Sequence, residues 1–211
     1  MDIISHGLWG ALLAKSVNVR LRRKKKGGEP RKLDPLLAGF WGFAPDLVAF
    51  MPVMMLFGGG ILSGHVEPES FPRPTEAEAV GAAQSGIFWV THAIYSVTHS
   101  ATVFALTFFG VWAFRKFVLR RTYPFMWEMT PWLLHIVMDV FTHSSEFYPT
   151  PVFWPLSSWY MDGVPWSHPW IIIPNYVALG LGFYLMRRRR RRVETMEAEA
   201  VLAPVLERIK R

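Results

Sequence analysis

Residues 36–62 read LLAGFWGFAPDLVAFMPVMMLFGGGIL, and Asp46 is the single ionisable residue among them. A helix needs about 20 mostly apolar residues to cross the hydrocarbon core of a bilayer, and this stretch exceeds that length. It decides the reading of the whole chain, because a run this long and apolar belongs in a membrane. The rest of the sequence can then be searched for its companions.

Working outward, Phe88 to Phe114 is apolar apart from a few His, Thr and Ser residues, and Trp170 to Met186 is a clean apolar run that ends against six arginines, Arg187 to Arg192. Tyr123 to Phe141 is interrupted by Glu128, His135 and Asp139 but contains no Lys or Arg. Asp2 to Val19 is amphipathic and contains Lys15; such a segment crosses, enters partway or lies in the interface. It lacks the basic n-region and unbroken apolar h-region of a secretory signal. Of the 211 residues, 51% are hydrophobic and 18% charged, against roughly 25% charged in soluble domains. The expected fold is all-α: a multi-pass transmembrane helical bundle of four or five membrane helices with a metal site between them. Residues 1–186 form the membrane-embedded domain. Residues 187–211 form a basic, amphipathic tail, with Val201, Leu202, Val205, Leu206 and Ile209 at helical spacing.

The net charge of +7 resides in short blocks flanking the apolar runs: Arg20 to Lys32, Arg115 to Arg121, and Arg187 to Arg192. Nucleic-acid binding needs basic residues presented on a folded face, and blocks at helix ends do not supply one. The region between Gly64 and Ser85 carries Glu67, Glu69, Glu76 and Glu78 against Arg73 alone, and its Pro content reads as irregular structure. Alternate connections are therefore basic and non-basic. Under the positive-inside rule the basic ones and the C-terminal tail are expected in the cytoplasm, with the chain in the plasma (inner) membrane and the lipid bilayer as its partner. Tyr148 to Pro169 reads as an outer loop with the interfacial aromatics Trp154, Trp159 and Trp166.

Ionisable residues at membrane depth cost roughly 2.5–3.5 kcal/mol each on insertion scales and mark functional sites by default. This chain places His6, Asp46, His92, His99, His135, Asp139 and His143 within its apolar segments. None is Lys or Arg, and the chain has no cysteine, so a metal would be held by His and carboxylate. His135 and Asp139 are four apart and share a helix face; His143 extends that stripe by a turn, with Glu128 and Glu146 near its ends. His92, Tyr95, His99 and Thr102 form a second stripe at i, i+3, i+7 and i+10. Two facing stripes can close a metal site inside a bundle. The simpler readings are an interhelical hydrogen bond for His92, surface exposure for His65 and His168, and a helix-breaking or capping role for Asp46 after Pro45. A proton relay would use the same residue types.

Five motifs in order carry a family resemblance: Asp2-Ile-Ile-Ser-His6-Gly-Leu-Trp-Gly10, Gly42-Phe-Ala-Pro45-Asp46-Leu, Tyr95-Ser-Val-Thr98-His99-Ser100, His135-Ile-Val-Met-Asp139-Val-Phe-Thr142-His143, and Pro151-Val-Phe-Trp-Pro155-Leu-Ser157 through Gly163. Across residues 1–186 the chain resembles the YdjM-like inner-membrane metal-dependent hydrolases of bacteria and archaea, known in part as LexA-binding membrane proteins. That family is distantly similar to zinc-dependent phospholipases C and single-strand nucleases. The resemblance implies that His6, Asp46, His99, His135 and Asp139 bind a divalent metal, zinc or else manganese, with Asp139 as a candidate bridge between ions. Asp46 and Asp139 are the candidate catalytic bases, with Glu146 as a weaker one, and the expected substrate is a lipid or lipid-linked phosphoester near the outer leaflet. Many relatives read Pro-Asp-Leu-Asp where this chain has Pro45-Asp46-Leu47-Val48, and many carry Arg where it has Tyr95. The expected metal content is correspondingly one or two ions. A transporter or a metal-stabilised, non-catalytic membrane protein are the readings from other functional classes.

Overall fold

The structure is a computed structural model that describes residues 1–23, 32–65, 67, 86–145 and 148–209. All the regular structure among them is helical. In chain order the α-helices are α1 (Ile3–Arg23), α2 (Pro35–Leu62), α3 (Ile87–Thr98), α4 (Ala101–Ala113), α5 (Thr130–Thr142) and α6 (Pro169–Ile209). A π-helical turn, Phe114–Val118, extends α4, and a 3₁₀ turn, Trp127–Met129, leads into α5. Asp34 caps α2, its carboxylate accepting from the backbone N–H groups of Leu36 and Leu37, and Pro35 stands at the helix start, where its missing N–H costs nothing.

Small residues seat α1 against α2. A Cβ on Gly42 would lie 2.5 Å from the His6 carbonyl oxygen, and one on Gly10 would lie 2.6 Å from that of Ala38. Gly7 meets Gly39 and Phe43 in the same seam. Backbones can approach this closely only where side chains are absent, the usual device for packing helices in lipid. The pairing order, 6 with 42 and 10 with 38, makes α1 and α2 antiparallel. On its other side α1 runs parallel to α6: Trp9 Nε1 donates to Asn175 Oδ1 at 2.8 Å, Gly182 receives Leu12, and the Lys15 ammonium lies 4.9 Å from the centre of the Phe183 ring.

Among the described residues, three segments are long and apolar enough to cross a membrane: Pro35–Leu62, Ala101–Val118 and Pro169–Ala200. Their outward faces are apolar, with Met55, Leu106 and Ile173 all more than half exposed, as lipid contact requires. The described parts of the three basic blocks gather at one end of the bundle. Leu21 and Leu33 share a recess with Tyr123 beside the second block, and Lys32 shares another with Arg187 and Arg190.

Two segments differ from their expected form. The run from Phe88 to Phe114 is two helices, broken at His99 and Ser100. Polar side chains make the break: Ser100 caps α4 through Val103 N, donates to Trp154 O at 2.6 Å, and is followed by Ala101 N donating to Val152 O at 2.8 Å. The segment from Val152 to Trp154 thus replaces helical bonds with its own carbonyls. The helix expected from Tyr123 starts at Thr130, after a stretch that contains Pro124. In contrast, α6 continues without interruption through Arg187–Arg192 to Ile209. Most of the acidic 64–85 connection and Glu146 lie outside the described residues.

Candidate metal centre

Four helical elements converge on one buried point. His6 comes from the first turns of α1, Asp46 from the middle of α2, His99 from the break between α3 and α4, and His135 and Asp139 from successive turns of α5. Asp46, His99, His135 and Asp139 each present one ligand-type atom, all within 4.8 Å of one another, and all four residues are buried. His6 adjoins this set. Its Nε2 lies 3.0 Å from Asp139 Oδ1 and 3.9 Å from Asp46 Oδ2, and its ring stacks on His135 with centroids 3.6 Å apart.

The ring tautomers follow from what each Nδ1 meets. His135 Nδ1 is 2.7 Å from the Gly42 carbonyl, and His99 Nδ1 is 3.1 Å from the Tyr95 carbonyl. A carbonyl only accepts, and Thr98 Oγ1, 2.9 Å from His99 Nδ1, directs its own proton to the Ile94 carbonyl, so both Nδ1 atoms carry the proton and both Nε2 atoms present a lone pair. Those Nε2 atoms are 2.9 Å apart. Each also faces a carboxylate: His99 Nε2 lies 3.2 Å from Asp46 Oδ1, and His135 Nε2 lies 3.1 Å from Asp139 Oδ2. Lone pairs and carboxylate oxygens crowded together repel unless a cation or proton sits among them. Consistently, His6 Nε2, Asp46 Oδ2 and Asp139 Oδ2 are buried with no hydrogen-bond partner, although buried polar atoms rarely go unpaired. Imidazole and carboxylate donors without thiolate suit zinc or manganese. The donor set fits a divalent ion.

The supporting groups fix the rings. Backbone carbonyls orient His99 and His135, the arrangement that usually holds metal-binding imidazoles. The Pro45 ring does not end α2, and Asp46 is buried toward the site, so the capping reading of Asp46 fails. Trp132 Nε1 donates to Thr98 O at 2.6 Å, locking α5 to the break that presents His99.

Several contributors carried little or no signal of their own in the sequence. His143, read as the end of the α5 stripe but left out of the ligand set, caps the helix with its Nε2 3.7 Å from Asp139 Oδ1. Its Nδ1 lies 2.8 Å from Tyr95 Oη and 3.1 Å from Tyr148 O. Tyr95, where relatives were expected to carry Arg, is fully buried and stacks on His99 at 3.6 Å. Tyr148, from the connection after α5, closes this side, and burial pushes its phenol up to about 12, so it stays neutral. The amino nitrogen of Met1 contacts Asp139 Oδ1. Asn175 links Trp9 to Ser5, and Ser5 in turn bonds Asp2, which also accepts from Tyr176 Oη at 3.0 Å. A lone Asn in an apolar run carries no signal of its own in the sequence.

The rest of the second stripe does not reach the centre: His92, read as an interhelical hydrogen bond, is exposed, and the helix break takes Thr102 off the stripe. His65 and His168 are exposed, as their loop positions suggested.

The family model described as YdjM inner membrane protein matches residues 1–209. No curated protein and no solved structure matches the chain. The family match covers nearly the whole sequence, so the chain belongs to the YdjM inner membrane protein family.

Proposed function

We propose that this member of the YdjM inner membrane protein family holds a divalent ion, zinc or manganese, on His6, Asp46, His99, His135 and Asp139, and hydrolyses a phosphoester of a lipid or lipid-linked substrate. The observation that carries the metal is the pair of imidazole lone pairs 2.9 Å apart between two carboxylates. A bound ion would polarise a phosphoryl oxygen and acidify a water molecule. The protein's own part is then to hold and to take a proton. Asp139 places one oxygen toward His6 and the other toward His99 and His135, which suits a ligand or bridge. Asp46 keeps Oδ2 without a hydrogen-bond partner, which suits a general base.

Depth supports the substrate class. The ligands lie away from the end where the basic blocks gather, and the positive-inside rule assigns that end, with the C-terminal tail, to the cytoplasm. The centre then lies toward the outer leaflet, where a lipid phosphate is presented.

Full burial of the ligands favours a second reading, in which the ion ties the helices together without turnover. Elemental analysis of detergent-purified protein, beside a His135→Ala/Asp139→Ala variant, separates these ideas. Stoichiometric metal lost in the variant, with hydrolysis of a lipid phosphoester lost alongside, supports the enzyme. Metal-dependent melting with no turnover supports the structural ion. Hydrolysis that survives in the double variant defeats the proposal.

A further inference from the structure

At the end of the bundle away from the metal centre, α1, α6 and the start of α2 enclose a recess of about 510 Å³. Among the described residues, four cationic side chains line it, Lys15 from α1, Lys32 before α2, and Arg187 and Arg190 one turn apart on α6, and no acidic one does. The nearest in sequence, Asp34, turns its carboxylate into the cap of α2. Arg190 also pairs with Glu194 further along α6 at 2.7 Å.

The floor is built rather than incidental. Asn18 bonds both backbone groups of Leu33, donating from Nδ2 to its carbonyl and accepting at Oδ1 from its N–H, each at 2.8 Å. That double bond pins the approach to α2 against α1 and fixes Lys32 beside the helix pair. Lys15 is held over the Phe183 ring. The apolar side chains of Val19, Phe183 and Met186 complete the walls. Along α6 this level is where the apolar run gives way to arginines, so the recess stands at the boundary between hydrocarbon and water. Cations converging over an apolar wall at that depth match an anionic lipid, phosphate toward the cations and acyl chain along the wall.

We propose that this recess binds the phosphate of an anionic glycerophospholipid, as a site separate from the metal centre. The charge and the boundary position favour a lipid over free phosphate, because the apolar wall gives free phosphate nothing to contact.

The test is thermal melting and native mass spectrometry of the full chain in a neutral detergent. It is titrated in turn with phosphatidylglycerol, phosphatidylcholine and inorganic phosphate. Phosphatidylglycerol is expected to bind and raise the melting temperature, and the other two to have little effect. Lys15→Gln/Arg187→Gln is expected to weaken phosphatidylglycerol binding, by roughly fivefold for each charge removed. Arg188→Gln/Arg192→Gln removes the same amount of charge, both from α6 outside the recess, and serves as the control, expected to retain binding. Arg190→Gln, at an exposed position on α6, tests the recess without touching packing, should Lys15→Gln disturb the fold. Equal binding of phosphatidylcholine overturns the proposal, as does equal weakening by the control pair or full replacement of the effect by inorganic phosphate.

Discussion

His99 and His135 face each other nitrogen to nitrogen, Nε2 to Nε2 at 2.9 Å, while each gives its Nδ1 proton to a backbone carbonyl. Two such lone pairs, with Asp46 and Asp139 beside them, amount to concentrated negative potential in a dry interior. Stability should therefore depend on a cation. Zinc or manganese at about a thousand times its dissociation constant should add about 4 kcal/mol, read as a melting temperature that rises with metal and falls with chelator. Melting indifferent to both would remove the metal centre and leave a proton shared between the rings.

Gly42 sets the approach of α1. Gly42→Ala places a methyl group 2.5 Å from the His6 carbonyl oxygen, and α1 must move away, taking His6 with it. Overpacking of this kind costs about 1–3 kcal/mol. The variant should melt earlier and bind metal more weakly than wild type. Unchanged metal content and unchanged melting would show that the seam is looser than its geometry implies.

Tyr95→Phe removes the hydroxyl that meets His143 Nδ1 and Thr150 Oγ1 at 2.8 and 3.2 Å while keeping the ring stacked on His99. Groups that orient a metal-binding histidine typically change affinity about 10–100-fold. If His143 helps hold the ion through its Nε2, a competition assay should show a loss in that range. A change well under tenfold would reduce His143 to a helix cap.

Asn175→Leu should loosen α6 without touching a ligand. It removes the bonds to Trp9 Nε1 and Ser5 Oγ, leaving the Trp9 donor and the buried Ser5 acceptor without that partner, at about 1–3 kcal/mol. Lower melting with preserved metal stoichiometry is the expected result. Lost metal would mean that α6 also sets the position of α1 at the site.

Val48→Asp restores the second carboxylate that many relatives are expected to carry. Val48 is 44% exposed on α2, two residues past Asp46 and turned away from the centre. The added carboxylate should therefore not raise the metal stoichiometry, and in lipid it should cost about 2.5–3.5 kcal/mol. An extra equivalent of metal in elemental analysis would refute this placement.

Much of the architecture was legible in the chain, because a membrane imposes one-dimensional rules. Apolar length marks α2 and α6, and the spacing of His135 and Asp139 marks a shared face. Lys and Arg blocks mark one end of the bundle. The break at Thr98-His99-Ser100 was not legible, because its cause is distant: carbonyls of Val152 and Trp154 accept from Ala101 and Ser100 in place of helical partners. Asn175 was equally silent, because its value depends on Trp9 and Ser5 standing opposite.

By itself the sequence determined that the chain is helical, enters a membrane, and buries His and Asp where lipid would otherwise forbid them. Only the tertiary structure decided that His6, Asp46, His99, His135 and Asp139 meet at one point, that His143 joins its edge, and that His92 does not. Segment identity is local, read from the cost of transferring each residue into hydrocarbon. A site is a coincidence of distant residues, and here it is set by how closely glycine lets α1 approach α2 and by which imidazole nitrogen a backbone carbonyl claims.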